Sequence, residues 1–158
     1  MNTPEAIVRP AAEADLETLR TFPHAEEVDV YFHAAELDEA VLAVVEVQGT
    51  VVGSAVLDLI SELRPEVKRV WVVKSSRRRR LGSTLTRWLE DRARALGHEA
   101  TFMAIDPNNE KMIPLAIDLG YSATGDHLFV DQPDQFQVDD PSTASEHYAI
   151  FRKSLTMR

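Results

Sequence analysis

Four consecutive arginines, Arg77, Arg78, Arg79 and Arg80, run directly into Leu81, Gly82, Ser83 and Thr84. Upstream, Val70-Trp71-Val72-Val73 reads as the end of a β-strand, and downstream the pattern turns helical. A basic loop feeding a helix start brings free backbone N–H groups and the positive end of the helix dipole to one place. That place suits a phosphate. Gly82 lets a ligand approach the backbone, and arginine adds forked, charged donors. Neither G-x-x-x-x-G-K-S/T nor G-x-G-x-x-G occurs, so nucleoside triphosphate and dinucleotide sites have no support. With Cys 0, a cysteine nucleophile, a thiolate zinc site and a disulfide scaffold are all excluded.

The elements around this segment follow from periodicity. Ala6 to Val8 reads as a first strand and Ala11 to Thr21 as a helix. A second helix is expected near the end of the acidic stretch from Phe22 to Glu39. Val41 to Val47 and Thr50 to Leu59 are β-branched runs joined by Gln48-Gly49, a hairpin pattern. Val67 to Val73 is a further strand. Leu81, Leu85, Trp88, Leu89 and Leu96 then form one helical stripe closed by Gly97. Ala100 to Ile105 returns to strand and Asn109 to Leu119 to helix, with Pro114 inside it and Gly120 after it. Two last strands, from Tyr121 onward and from His147 to Arg152, flank an acidic loop from Asp131 to Ser145. The order implies an α/β fold with a mixed sheet covered by helices, in a single domain over residues 1–158.

The charge is unevenly spread. The chain of 158 residues carries net −9, yet residues 67–115 hold 11 bases against 5 acids, and residues 1–66 hold 14 acids against 3 bases. An acidic chain with a basic centre points to an anionic ligand held in the middle, and away from general nucleic-acid binding. No membrane span fits, because Glu46, Gln48, Gly49 and Asp58 interrupt the longest apolar region. Met1 to Pro10 has no apolar core of a targeting signal, so a cytoplasmic location is expected.

Taken in order, the segments resemble the GNAT acetyltransferase superfamily. Arg77, Gly82, Ser83 and Leu85 match the spacing of its Q/R-x-x-G-x-G/A acyl-CoA motif. Asn109, Met112, Ile113, Leu115, Leu119, Gly120 and Tyr121 resemble its N-x-x-A-I-x-L-Y-x-x-L-G-F/Y helix. The opening Val8-Arg9-Pro10-Ala11 and the closing His147 to Lys153 are also family-like.

The resemblance implies a mostly antiparallel sheet of six to seven strands, splayed between the fourth and fifth. It implies acetyl-CoA as co-substrate, no metal, and an amine on a small molecule or a protein as acceptor. Family habit points to a homodimer. Val70, Trp71 and Val72 would pair with the pantetheine arm like an added strand. Residues 78–83, Arg78, Arg79, Arg80, Leu81, Gly82 and Ser83, would cradle the pyrophosphate, with Arg77 at the head of the motif. Asn109 would touch the arm or cap its own helix.

Arg80 stands where the motif's first glycine usually is, Ala116 where many members carry an acidic tyrosine, and Ala104 where some carry a glutamate base. Asp106 and Tyr121 are the remaining candidates for proton transfer. Asp106 is either a relay through water or a turn residue before Pro107, and Tyr121 either an acid or a core aromatic. Tyr31, His33 and Asp58 fall near the family's acceptor pocket. The late acids, Asp131, Asp134, Asp139, Asp140 and Glu146, favour a cationic acceptor. The blank Ala104 and Ala116 positions keep a second reading open, a CoA-binding regulatory module without transferase activity.

Overall fold

A computed structural model describes residues 5–156. Residues 1–4 and 157–158, part of the expected domain and of the amino-terminal reading, lie outside the described residues. Seven strands form one sheet: β1 (Ala6–Pro10), β2 (Ala40–Val47), β3 (Thr50–Asp58), β4 (Glu66–Val72), β5 (Ala100–Ile105), β6 (Ser122–Phe129) and β7 (His147–Ser154). Their spatial order is β1-β2-β3-β4-β5-β7-β6, antiparallel except between β4 and β5. The helices are α1 (Leu16–Leu19), α2 (Val28–Glu36), α3 (Leu81–Ala95) and α4 (Met112–Asp118). Among the described residues no helix is long and apolar enough to cross a membrane.

Strand alternation sorts the core onto two faces. Ala43, Val45, Ala55 and Leu57 point to α3, whose Leu81, Leu85, Leu89 and Ala93 are buried against them. Leu42, Val44 and Val56 point the other way, to Leu19 and Phe22 and the partly buried face of α2. Gln48 and Gly49, both at positive φ (52° and 80°), turn the β2–β3 hairpin as the sequence predicts.

Two expectations shift. The first helix is shorter at both ends than Ala11 to Thr21, with a 3-10 turn at Glu13–Asp15 before α1 at Leu16–Leu19: the Thr21 hydroxyl donates to the Thr18 carbonyl at 2.6 Å, and Pro23 disfavours helical geometry at Phe22. Leu96, the last member of the apolar stripe, is 56% exposed, because it follows the last turn of α3 where the chain leaves through Gly97 at φ 91°. Pro114 falls in the first turn of α4, where the missing N–H costs little.

The sheet does not stay closed. β4 and β5 pair only at Glu66 opposite Phe102, with the Phe102 N–H on the Pro65 carbonyl at 3.0 Å. Beyond that point the two strands diverge. β4 also bulges against β3, with Arg69 at φ 55°. The extra residue alters the alternation, so the side chains of Glu66, Lys68, Arg69 and Trp71 all reach the α1–α2 side. A regular strand would have sent Arg69 to the opposite face.

Candidate functional site

The gap between β4 and β5 leads at one end to a cleft of about 280 Å³ under the start of α3. Val72, Ser76, Arg77, Arg78, Arg80, Leu81, Gly82, Ser83 and Leu115 line it. Arg78 (φ 68°) and Arg80 (φ 59°) both adopt left-handed backbone, which turns the loop sharply into the helix. The first N–H to reach back along α3 is that of Thr84, which meets the Arg80 carbonyl at 3.0 Å. The N–H groups of Leu81, Gly82 and Ser83 precede it and have no helical acceptor. A Cβ built on Gly82 would sit 3.6 Å from Val70, an ordinary contact, so internal packing does not demand glycine there. Arg78 and Arg80, three free N–H groups and an uncrowded Gly82 fit a diphosphate.

The arginines are not equivalent. Arg77 folds back, donating from Nε to the Val72 carbonyl at 2.9 Å and lying 5.7 Å from the centre of the Trp71 ring. It braces the edge of β4 while it also lines the cleft. Arg78 and Arg80 line the cleft, whereas Arg79 does not. Asn109 holds the start of its own helix and also lines the large cavity. Its Oδ1 accepts from the Met112 N–H at 2.9 Å, and Val70 and Trp71 share that cavity wall.

That cavity, about 490 Å³, occupies the splay and the space between β4, α2 and the β6–β7 loop. Phe22, Tyr31, Trp71, Phe136 and Tyr148 form much of its wall. Glu66 reaches it from the closed end of the splay. Burial pushes the Glu66 carboxyl above its usual range, partly offset by the Lys68 ammonium 4.0 Å away. Lys68 pairs with Asp58 at 2.9 Å and lies 5.6 Å from the Tyr31 ring centre. Asp58 also accepts the Ile60 and Ser61 N–H groups, each at 3.0 Å, so it holds Lys68 and a turn. Tyr148 accepts from the Asp134 N–H, which leaves its own proton free for another partner; burial raises its phenol pKa.

Polar groups also close the edges. By strand alternation Ala104 and Asp106 turn their backbone groups to the side on which Phe102 meets β4. The Gln137 carboxamide sits there, donating to the Ala104 carbonyl at 3.3 Å and accepting the Asp106 N–H at 2.7 Å.

The expected site residues thus separate. Tyr31, Val70, Trp71 and Asn109 come together at the cavity, and Arg77, Arg78, Arg80, Leu81, Gly82 and Ser83 at the cleft, with Val72, whereas Arg79 lines neither. His33 is exposed on α2 beside Glu36 and lines neither space. The Asp106 carboxylate accepts the Asn108 and Ser145 N–H groups at 2.9 and 2.7 Å, fully buried under the late loop. Tyr121 is in the core, its hydroxyl between Glu90 and Thr101 at 2.7 Å each. Ala116 is buried in the same core, and Ala104 lines the cavity with only its methyl side chain. Sequence reasoning missed Glu66, Gln137 and Tyr148. Tyr148 stood inside the quoted closing strand, and only its alternation onto the cavity face of the sheet could have singled it out. Among the described residues no group of three His, Asp or Glu is arranged to hold a metal ion.

Comparison with known proteins supplies the context. The family model "Acetyltransferase (GNAT) family" matches residues 9–121. No curated protein matches the sequence. Among solved structures, an N-acetyltransferase from Staphylococcus aureus Mu50 superposes with a TM-score of 0.74 at 20% identity, covering 96% of this chain and 99% of that one. The ribosomal-protein-S18-alanine N-acetyltransferase of Escherichia coli gives 0.73 at 16% identity, over 98% and 96% of the two chains. A GNAT family acetyltransferase from Elizabethkingia anophelis, with acetyl-CoA bound, gives 0.70 at 15%, over 94% and 97%. The seven-stranded mixed sheet, parallel only across the splay, is the fold they share.

Proposed function

Because the chain belongs to the GNAT acetyltransferase family, we propose that it is an acetyl-CoA-dependent N-acetyltransferase that passes the acetyl group directly to an amine. One observation carries this reading. The splay joins an anion-ready helix start to a cavity that holds a buried carboxyl, Glu66, at its far end.

In this reading Arg78, Arg80 and the N–H groups of Leu81, Gly82 and Ser83 hold the diphosphate of acetyl-CoA. The pantetheine arm lies along β4 from Val72 to Val70, with Asn109 on its other side. The acceptor enters from the α1–α2 side, where Tyr31 and Trp71 face it. The reaction needs a neutral nitrogen, since an ammonium has no lone pair. Its lone pair forms the bond to the thioester carbon, the C–S bond breaks, and the thiolate leaves with the electron pair. The Glu66 carboxylate takes the amine proton. The raised Glu66 pKa makes it a better base than an exposed carboxylate. The Tyr148 phenol supplies a proton to the thiolate and is restored from solvent. These two residues take the roles that Ala104 and Ala116 leave empty.

Glu66→Gln tests the assignment. Loss of a general base lowers kcat by about 100-fold or more. It also removes the acidic limb of the pH profile, while CoA binding stays within about twofold. An unchanged kcat with the acidic limb intact refutes the role of Glu66.

A further inference from the structure

Two segments that are distant in sequence meet over the cavity. His24, at φ 63° in the turn between α1 and α2, places Nε2 3.1 Å from Asp134 Oδ2 in the β6–β7 loop. Arg69 of the β4 bulge donates to the same Asp134 oxygen at 3.0 Å and grips Glu27 with two bonds of 2.7 and 3.1 Å. The His24 ring meets Phe136 edge-on, 4.9 Å between centres. His24, Glu27, Arg69, Asp134 and Phe136 all line the cavity. Their charged side chains are only 12–30% exposed, so these ties are stronger than surface ion pairs.

The two flanking loops are therefore cross-braced. A polypeptide needs open room beside the reacting atoms for the residues that adjoin its amine, on both sides for an internal lysine and on one side for an amino terminus. Here the α1–α2 turn and the β6–β7 loop are joined side chain to side chain across that space. What remains is a partly open cavity of about 490 Å³ that must also accommodate the thioester end of the co-substrate.

The brace changes the charge of the cavity as well. Glu27 and Asp134, the carboxylates best placed to hold a polycation, are already satisfied by Arg69 and His24. Although burial alone would raise both carboxyls, those partners bring each below its usual range. Around them the wall is aromatic, including Phe22 and Trp71 at 4.6 Å between ring centres.

We infer that His24, Arg69, Glu27 and Asp134 are specificity-determining residues that restrict the acceptor to a compact monoamine with an apolar or aromatic body and exclude polypeptide amines. This rests on the acetyltransferase reading and narrows it. Of the remaining late acids, Asp131 also lines the cavity and has no ion-pair partner among the described residues, so spermidine is the probe that tests the limit to a monoamine. Asp139 pairs with Lys111 and Asp140 caps the turn at Ser142, so neither is left over for an acceptor.

The test uses the full chain with acetyl-CoA and three probes: phenethylamine, spermidine, and a ten-residue peptide with a free amino terminus and one internal lysine. Thiol release is expected for phenethylamine, with kcat/KM at least tenfold above spermidine and a hundredfold above the peptide. In His24→Ala and Asp134→Ala, each checked for native thermal unfolding, the peptide-to-phenethylamine ratio should rise at least tenfold. His24 lies in a turn, so its variant keeps the test open if Asp134→Ala fails to fold. A peptide or spermidine turned over as well as phenethylamine overturns the inference, as does a ratio unmoved in both variants. If no probe is turned over, the transferase reading fails separately. The inference is then judged by calorimetric binding of the same probes to the CoA-loaded protein, where a peptide or spermidine binding as tightly as phenethylamine overturns it.

Discussion

Tyr121→Phe separates a core role from a catalytic one. The Tyr121 hydroxyl is 2.7 Å from both Glu90 Oε2 and Thr101 Oγ1, and the residue is 2% exposed. Glu90 is equally buried, and its other oxygen accepts from Lys153 Nζ at 2.9 Å. Removing the phenol oxygen leaves a buried carboxylate oxygen without its donor. A hydrogen bond to a charged group contributes about 1.5–3 kcal/mol, and an unsatisfied buried acceptor adds to the loss. For a chain of this size each kcal/mol lowers Tm by about 2–4 °C, so the variant should melt roughly 3–12 °C lower. The cluster lies in the core beneath α3, away from the cavity, so kcat measured well below Tm should stay within about twofold. Thermal unfolding followed by circular dichroism, paired with thiol release from acetyl-CoA, gives both quantities on one sample. A variant that melts like the native protein but loses kcat a hundredfold refutes the core assignment and restores Tyr121 as an acid.

Lys153→Met removes the cation from the same cluster, and a buried carboxylate stripped of its partner costs about 3–5 kcal/mol. The double variant with Glu90→Gln should recover more than half of that loss in urea unfolding. Arg80→Gly relieves a left-handed backbone worth about 1 kcal/mol but adds comparable freedom to the unfolded chain, so Tm should move by less than about 3 °C. CoA affinity should fall about tenfold at low salt, and the deficit should shrink as salt rises, read by calorimetry. Asp15 is held below the usual carboxylate range by its bonds to Arg9 and, against the opposing effect of burial, to the Ala12 N–H. Asp15→Asn should therefore cost about 1–2 kcal/mol above the unfolded carboxyl pKa near 4. That difference should fade as pH falls through the lower folded value, because a protonated Asp15 no longer pairs with Arg9.

The turn into α3 was legible because its signals are local. Strand, basic loop, Gly82 and an apolar stripe of helical period are contiguous, and together they place α3 and its free N–H groups. The cavity was not, because its lining is assembled across long separations. Arg69 meets Glu27 and Asp134 only through a bulge that no glycine announces. Glu66 resembles any polar residue at the head of a strand until the splay exposes it to the cavity. The Gln137 amide imitates a neighbouring strand at the edge of β5, a role that no spacing rule encodes. Asp106 and Tyr121 drew notice by residue type, but their positions are explained by turn and core chemistry.

The central claim is that the splay binds acetyl-CoA and that the adjoining cavity delivers an amine to it. The most direct measurement is thiol release from acetyl-CoA with and without phenethylamine, with the acetylated product identified by mass spectrometry. The account predicts amine-dependent release matched mole for mole by N-acetyl product and lowered about 100-fold or more by loss of the Glu66 carboxylate. Tight CoA binding with no amine-dependent release across the acceptor panel would contradict it and leave a binding module in its place.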